Sequence, residues 1–275
     1  MALDPERVTI TIDNGIADVK MTRTDKRNAL DAKMFLALQE AGEQLKTEPG
    51  VRCVVLSGEG KSFCAGLDMT SMQGLANTGD GEGTAKSSES DPGHLPDGRI
   101  THLAQQVCWV WQEIPVPVIA AVHGHALGGG IQLALGADIR IVHPETKMSV
   151  RETYWGLTPD MTGTFVLGKL VRPDIAKELT FTARIFLGDE ANEMGLVTKL
   201  SEHPYDDAMA MAREIALVSP GAVRGSKELI NGMANDGAAE QFAEERRIIR
   251  SQIGTTNQRE AVMASFESRA PMFVD

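Results

Sequence analysis

Two short apolar runs constrain this chain more than any other feature. Residues 51–56 and 116–122 are almost continuously apolar, and each ends in a cluster of small residues. A strand that is apolar on both faces must be covered on both, as in parallel sheets flanked by helices. The first run continues through Ser57-Gly58 to Lys61-Ser62-Phe63-Cys64-Ala65-Gly66-Leu67-Asp68-Met69. The second continues to His123-Gly124-His125-Ala126-Leu127-Gly128-Gly129-Gly130-Ile131-Gln132. Small residues let a ligand approach the backbone closely. The second junction also opens a helix, whose first N–H groups lack intrahelical acceptors. Such groups suit an anion or a developing negative charge.

The surrounding pattern agrees. Residues 8–12 alternate and read as a strand, Asp13-Asn14-Gly15 as a turn, and residues 16–21 as a second strand, so the chain opens with a hairpin. Asp31 starts a helix whose Met34, Leu38, Ala41 and Leu45 form an apolar stripe, and Pro49-Gly50 ends it. Residues 100–113 read as a helix with Leu103, Val107 and Trp111 on one face. A short helix over 128–136 and a strand over 139–142 follow. Alternating helices and apolar strands indicate an α/β architecture. From about Tyr205 the pattern is helical only, with Ala208, Met211, Ala212 and Ile215 in one stripe. Ser219-Pro220 reads as a cap and first turn, and helices are expected near 238–250 and 257–267. The expected division is an α/β core over 1–204 and a helical C-terminal region over 205–275. The stretch near 70–98 is polar and rich in Gly and Ser, and reads as a mobile surface insertion. Its place after the first apolar strand would suit a flap over a pocket, and a solvated insertion is the plainer alternative.

Charge and cysteine usage narrow the function classes. Lys and Arg number 27 against 38 Asp and Glu, a net charge of −11. That argues against a nucleic-acid partner, whose affinity rests largely on cations neutralising phosphates. Three cysteines, Cys53, Cys64 and Cys108, are odd in number and lack CxxC spacing. Neither a disulfide framework nor a structural zinc site is expected, and a reducing cytoplasm fits. The N-terminal residues carry no apolar signal-peptide core, and no apolar run is long enough to span a membrane.

Nucleotide loops fail on inspection. Gly124 to Gly129 has the glycine spacing of a phosphate loop, but Gly130 and Ile131 replace the required Lys and Ser/Thr. The dinucleotide pattern fails because Ala126 stands where its second glycine should be. The two junctions instead resemble the enoyl-CoA hydratase/isomerase (crotonase) family. Lys26-Arg27-Asn28-Ala29-Leu30, Ala137-Asp138-Ile139-Arg140, Glu152, Gly156 and Phe181-Thr182-Ala183-Arg184 support this in the right order, over residues 6–270.

The resemblance implies a crotonase-like spiral of ββα units with a helical C-terminal trimerisation region. It implies an acyl-CoA thioester substrate, a homotrimer or dimer of trimers, and no cofactor beyond the coenzyme A of the substrate. It also implies an oxyanion hole of two backbone N–H groups, here those of Ala65 and Gly129. Losing one such donor typically costs about 3 kcal/mol of transition-state stabilisation. Lys26 and Arg27 fall where family members contact coenzyme A, with ordinary surface charge as the alternative. The resemblance also makes Ala29, Gly66, Leu67, Asp68, Met69 and Gly128 candidate substrate- or coenzyme A-binding residues, and Asp68 reads as structural in the loop.

The family's hydratases place two glutamates 20 residues apart. Here the positions hold Gln132 and Glu152. Gln cannot exchange a proton, so two-glutamate hydration is in doubt, although Gln132 could still serve catalysis by holding a water or a substrate oxygen; Glu152 remains a candidate general base. Asp160, eight residues after Glu152, matches the Glu and Asp spacing of dienoyl-CoA isomerases. Those isomerases carry an Asp where this chain has Gln132. The alternative for Asp160 is an N-cap for a helix over 162–170. Arg151 replaces a frequent proline and is expected to pair with a carboxylate. His123 and His125 form an HxH pair with no third ligand evident, so no metal site is expected. Cys64 reads as a buried small apolar residue. The tryptophans Trp109, Trp111 and Trp155 read as core, pocket or interface residues. The reading is double-bond isomerisation of an enoyl- or dienoyl-CoA. The alternatives are hydration of a 2-enoyl-CoA and a catalytically impaired acyl-CoA binding protein.

Overall fold

The structure, a computed structural model, describes residues 3–76, 95, 96 and 98–274. Strands β1 (Val8–Asp13) and β2 (Ile16–Met21) form the expected antiparallel hairpin. Strand β3 (Cys53–Gly58) pairs parallel to β2, and β4 (Val118–Val122) parallel to β3. Strand β6 (Ile139–Val142) and the short β8 (Lys199–Leu200) complete a six-stranded sheet ordered β1-β2-β3-β4-β6-β8. A second, two-stranded parallel sheet joins β5 (His125–Leu127) to β7 (Lys147–Ser149).

Successive side chains of a strand face opposite ways, and here each set finds its own core. Val54, Leu56, Val118, Ala120 and Val122 pack with Met34, Leu38, Ala41 and Leu45 of helix α1 (Ala32–Thr47). Val107 and Trp111 of a further helix join them. Cys53, Val55, Ile119 and Ala121 face the other way and meet Ala208, Ala212 and Ala216. Those alanines belong to a helix over Pro204–Ala216. This is why the strands are apolar throughout: both faces are roofed. That helix is the first of the all-helical stretch after 204, and it covers one face of the sheet.

The remaining helices are α2 (Met69–Ala76), α3 (Leu103–Glu113), α4 (Gly129–Leu135), α5 (Gly163–Leu170), α6 (Pro173–Thr182) and α7 (Gly188–Met194). After α8, the Pro204–Ala216 helix, come α9 (Pro220–Ala234), α10 (Ala238–Gln252) and α11 (Thr256–Phe266). The first residues of the expected insertion, 70–76, are helical in α2, and most of its remainder lies outside the described residues. Helix α3 starts at Leu103 because His102 caps it reciprocally with Gln105. Ser219 makes no side-chain cap at α9, although Pro220 holds the first turn as expected. The one buried residue of α9 is Lys227, whose Nζ donates to the Trp111 and Val116 carbonyls at 2.9 and 3.0 Å. The same cation meets Asp138 Oδ2 at 2.7 Å, so a buried ion pair ties α9 to the sheet.

Candidate active site

The loops after β3 and β4 lie side by side. The Phe63 N–H donates to the His123 carbonyl at 2.8 Å and the Cys64 N–H to that of His125 at 2.9 Å. Gly66 is required where they meet. Its φ is +89°, and a Cβ there would stand 2.5 Å from the Leu127 carbonyl oxygen and 3.8 Å from the Gly129 nitrogen. The Leu30 N–H donates to the Gly66 carbonyl at 2.8 Å, and the Asp68 N–H to the Leu30 carbonyl at 2.9 Å. Asp68 is structural. It takes Arg23 Nη1 at 2.8 Å and caps α2 by accepting the Thr70 N–H at 2.9 Å, while Met69 is largely exposed.

One expected donor needs correction. The Ala65 N–H donates to the Arg27 carbonyl at 3.0 Å, so it is not available to a ligand. The neighbouring Leu67 N–H meets no acceptor among the described residues, because its strand-like bridge to Leu30 uses residues 66 and 68 instead. The Gly129 N–H, at the first position of α4, likewise meets none among the described residues. Lys26 and Arg27 are exposed on the turn that supplies this carbonyl, and Ala29 is buried behind them. Burial lowers the His125 pKa, and the charges of Arg27 and Lys147 lower it further.

Glu152 opens a short 3-10 helix, Glu152–Trp155, shortly after β7. Gly128, whose N–H donates to the Ser149 carbonyl at 2.9 Å, is its neighbour: a Cβ there would stand 3.3 Å from Glu152 Oε1. Glu152 therefore sits beside the turn that presents the Gly129 N–H. Its Oε1 accepts from Gln132 Nε2 at 2.6 Å, and its Oε2 is buried with no hydrogen-bond partner among the described residues. Burial pushes the Glu152 carboxyl up to about 7, against the pull of the Gln132 amide. A group poised there serves as base or acid near neutrality.

Gln132 is engaged at both ends. Its Oε1 accepts from the Met161 N–H at 3.0 Å and the Gly163 N–H at 2.9 Å, so only its NH2 can face Glu152. The same contacts carry the turn holding Asp160. Asp160 lies three residues ahead of α5 but does not cap it. Thr162 occupies the cap position, in the left-handed region at φ +69° and without a side-chain cap bond. Burial pushes the Asp160 carboxyl well above the usual range, and the charges of Glu245 and Glu152 add to the shift. Gln132 thus joins Glu152 to the turn that carries Asp160, and the Glu152 charge is felt at Asp160.

Other expected residues go elsewhere. Arg151 pairs with no carboxylate among the described residues; it donates to the Ala183 carbonyl at 2.6 Å and stacks 3.8 Å over the Tyr154 ring. His123 Nε2 meets the Gly60 carbonyl and His125 Nδ1 the Ser62 hydroxyl, 3.0 and 2.9 Å away. Among the described residues no group of three His, Cys, Asp or Glu is placed to hold a metal. Burial pushes the Cys64 thiol up to about 12. Trp109 packs edge-on against Phe165 and Phe242, Trp155 edge-on against Tyr154, and Trp111 is core. No described helix is long and apolar enough to cross a membrane.

The enoyl-CoA hydratase/isomerase family model matches residues 11–275. The chain belongs to that family. A mouse protein named enoyl-CoA hydratase domain-containing protein 2, mitochondrial, is 34% identical over 271 residues, covering 94% of this chain and 84% of that one. The mouse mitochondrial Delta(3,5)-Delta(2,4)-dienoyl-CoA isomerase is 32% identical over 216 residues, 77% of this chain and 64% of that protein. The crystal structure of an enoyl-CoA hydratase/isomerase from Pseudoalteromonas atlantica T6c superposes with a TM-score of 0.82. It shares 25% identity and covers 97% of this chain and 99% of that one. The fold is the crotonase fold, and hydratases and isomerases both stand among the relatives.

The residue that sequence reasoning missed is Glu245 of α10, only 3% exposed. It sits in a run of charged residues that reads as a solvated face. A signal was present: Phe242 and Ile249, both buried, bracket it at helical spacing.

Proposed function

We propose that this enzyme moves a double bond in an enoyl- or dienoyl-CoA, with Glu152 and Asp160 as the proton-transfer pair. The observation that carries this reading is the engagement of Gln132 at both ends. An amide oxygen held in that way accepts nothing further, and an amide exchanges no proton, so Gln132 is no second acid–base group for hydration, whereas Glu152 keeps one oxygen unpartnered. For a 3,5-dienoyl-CoA the balance is simple. Ionised Glu152 takes a proton from C2, and electron density moves onto the thioester oxygen. The N–H groups of Gly129 and Leu67 stabilise that oxyanion. Protonated Asp160, its ionisation disfavoured by burial and by its neighbours' charges, delivers a proton to C6 as the conjugated 2,4-diene forms. Glu152 leaves protonated and Asp160 ionised, and proton exchange restores the pair. The thioester supplies the acidity of C2, so the scheme uses no cofactor. Self-association would bury the exposed apolar residues of α9, Leu229, Ile230 and Met233, and light scattering should return the mass of a trimer or a dimer of trimers.

The test is a paired absorbance assay with a 2-enoyl-CoA and a 3,5-dienoyl-CoA, repeated with Glu152→Gln and Asp160→Asn. Appearance of the conjugated diene that needs both carboxylates supports isomerisation. Loss of the enoyl chromophore that needs Glu152 but not Asp160 replaces it with hydration. Tight acyl-CoA binding with silence in both assays replaces it with a binding protein.

A further inference from the structure

The N-terminal turn of α5 is held by two side chains from distant parts of the chain. Gln132 takes the N–H groups of residues 161 and 163. Glu245 takes those of 162 and 164, at 3.0 and 3.3 Å. Four consecutive backbone donors are thus shared alternately between an amide and a carboxylate. Glu245 also accepts the Thr164 hydroxyl at 2.5 Å and Gln105 Nε2 at 3.1 Å. All four of these bonds point toward the carboxylate, the arrangement an ionised acid satisfies and a protonated one does not. Its place at a helix N-terminus favours the same charge, and with the hydrogen bonds it opposes the burial that raises the Glu245 pKa. Thr162, between the two clamps, is buried with a left-handed φ of +69°, a conformation that persists only where the surroundings over-determine it.

Resting on the isomerase reading above, we propose that Glu245 is a positioning residue for the proton-transfer pair: it locks the turn that carries Asp160, while Gln132 links the same turn to Glu152. Its charge acts on the pair as well, since it is among the causes that raise the pKa of both Glu152 and Asp160. Among the described residues, Arg246 on its own helix and Cys108 on α3 also share its field. The Arg246 guanidinium is turned to the Gln105 side-chain oxygen and the Ile100 carbonyl, at 2.8 and 2.7 Å.

The experiment uses the full chain, a 3,5-dienoyl-CoA, and the variants Glu245→Gln and Thr164→Val, each alone and combined with Asp160→Asn. Glu245→Gln should lower kcat about a hundredfold, the scale of a catalytic group displaced by about 1 Å, with KM within about threefold. Removing a negative charge that raised Glu152 should move the acid limb of the kcat/KM profile to lower pH. Thr164→Val keeps the charge, so it should lower kcat about tenfold with that limb unmoved. In the Asp160→Asn background neither variant should slow the enzyme further, because the group they misplace is already gone. Equal loss in both backgrounds, or an acid limb unmoved by Glu245→Gln, overturns the proposal. If Glu245→Gln does not fold, Thr164→Val in the two backgrounds decides on the same criterion. A wild type silent on the diene, or an Asp160→Asn variant as fast as wild type, sinks the isomerase reading and this proposal together. Wild-type activity that needs Asp160 but survives both variants intact sinks this proposal alone.

Discussion

At the start of α1, Asp31 is the cap and accepts the Met34 N–H at 2.8 Å. At the start of α5, Thr162 makes no such bond, and Gln132 and Glu245 supply the acceptors from elsewhere in the chain. The first arrangement is local. The cap bond forms with the helix and stabilises it by about 1 kcal/mol, while the same carboxylate also receives Arg7 from the chain's N-terminal turn. The second is built by tertiary packing, and it fixes the turn that carries Asp160, the second proton-transfer group of the proposed reaction. On the proposed function, a helix that supports the core begins with its own cap, whereas the one that presents a reactive group has its first turn fixed from outside.

That contrast can be broken or sharpened by substitution. The largest effect is expected at the chemistry itself: Glu152→Gln should lower kcat on the preferred substrate about a thousandfold with little change in KM. Gln132→Ala should come next. It leaves two buried N–H groups without acceptors and Glu152 without its donor, and denaturant titration should show a loss of about 3–4 kcal/mol. A third effect is a dependence on pH. The folded-state pKa of Glu152 is raised from 4.5 to about 7 by burial. Its contribution to stability is therefore complete below about 4.5 and is lost as pH rises through about 7. Relative to Glu152→Gln, the wild type should lose about 3 kcal/mol across that window, measured by paired unfolding curves at pH 5 and 8. The smallest effect belongs to the local cap. Asp31→Ala should cost about 1–2 kcal/mol, the cap plus its partly exposed Arg7 pair, with kcat within twofold of wild type. An Asp31 variant that loses activity as Gln132→Ala does would erase the distinction between the two helix starts.

What could be read from the sequence follows the same division. Asp31, the stripe Met34, Leu38, Ala41 and Leu45, and the two apolar strands were legible because each depends on neighbours within a turn or a strand. The pairing of Glu152 with Gln132 was legible only through family resemblance. The direction in which the amide points was not, since it depends on N–H groups 29 and 31 residues away. Ala65 shows the same limit. Its place in the loop was clear, but the Arg27 carbonyl that occupies its N–H lies on another turn. Arg151 went to a carbonyl and an aromatic ring because those are what the fold brings within reach among the described residues. Glu245 is the extreme case, a buried acid inside a charged run, detectable only by asking which face of α10 must point inward.

The clamp on α5 also bears on the order in which the molecule can be completed. Its bonds from Glu245 span 83 and 81 residues, and they come from α10, which leaves the ribosome well after α5. Contacts of such separation carry the full loop-closure entropy and form late. A nascent chain can lay down β1 to β8 and roof the sheet while the turn around Asp160 still lacks two of its four acceptors. The catalytic centre should therefore mature after the scaffold, and a chain arrested before α10 emerges would hold a built sheet around an unfinished site.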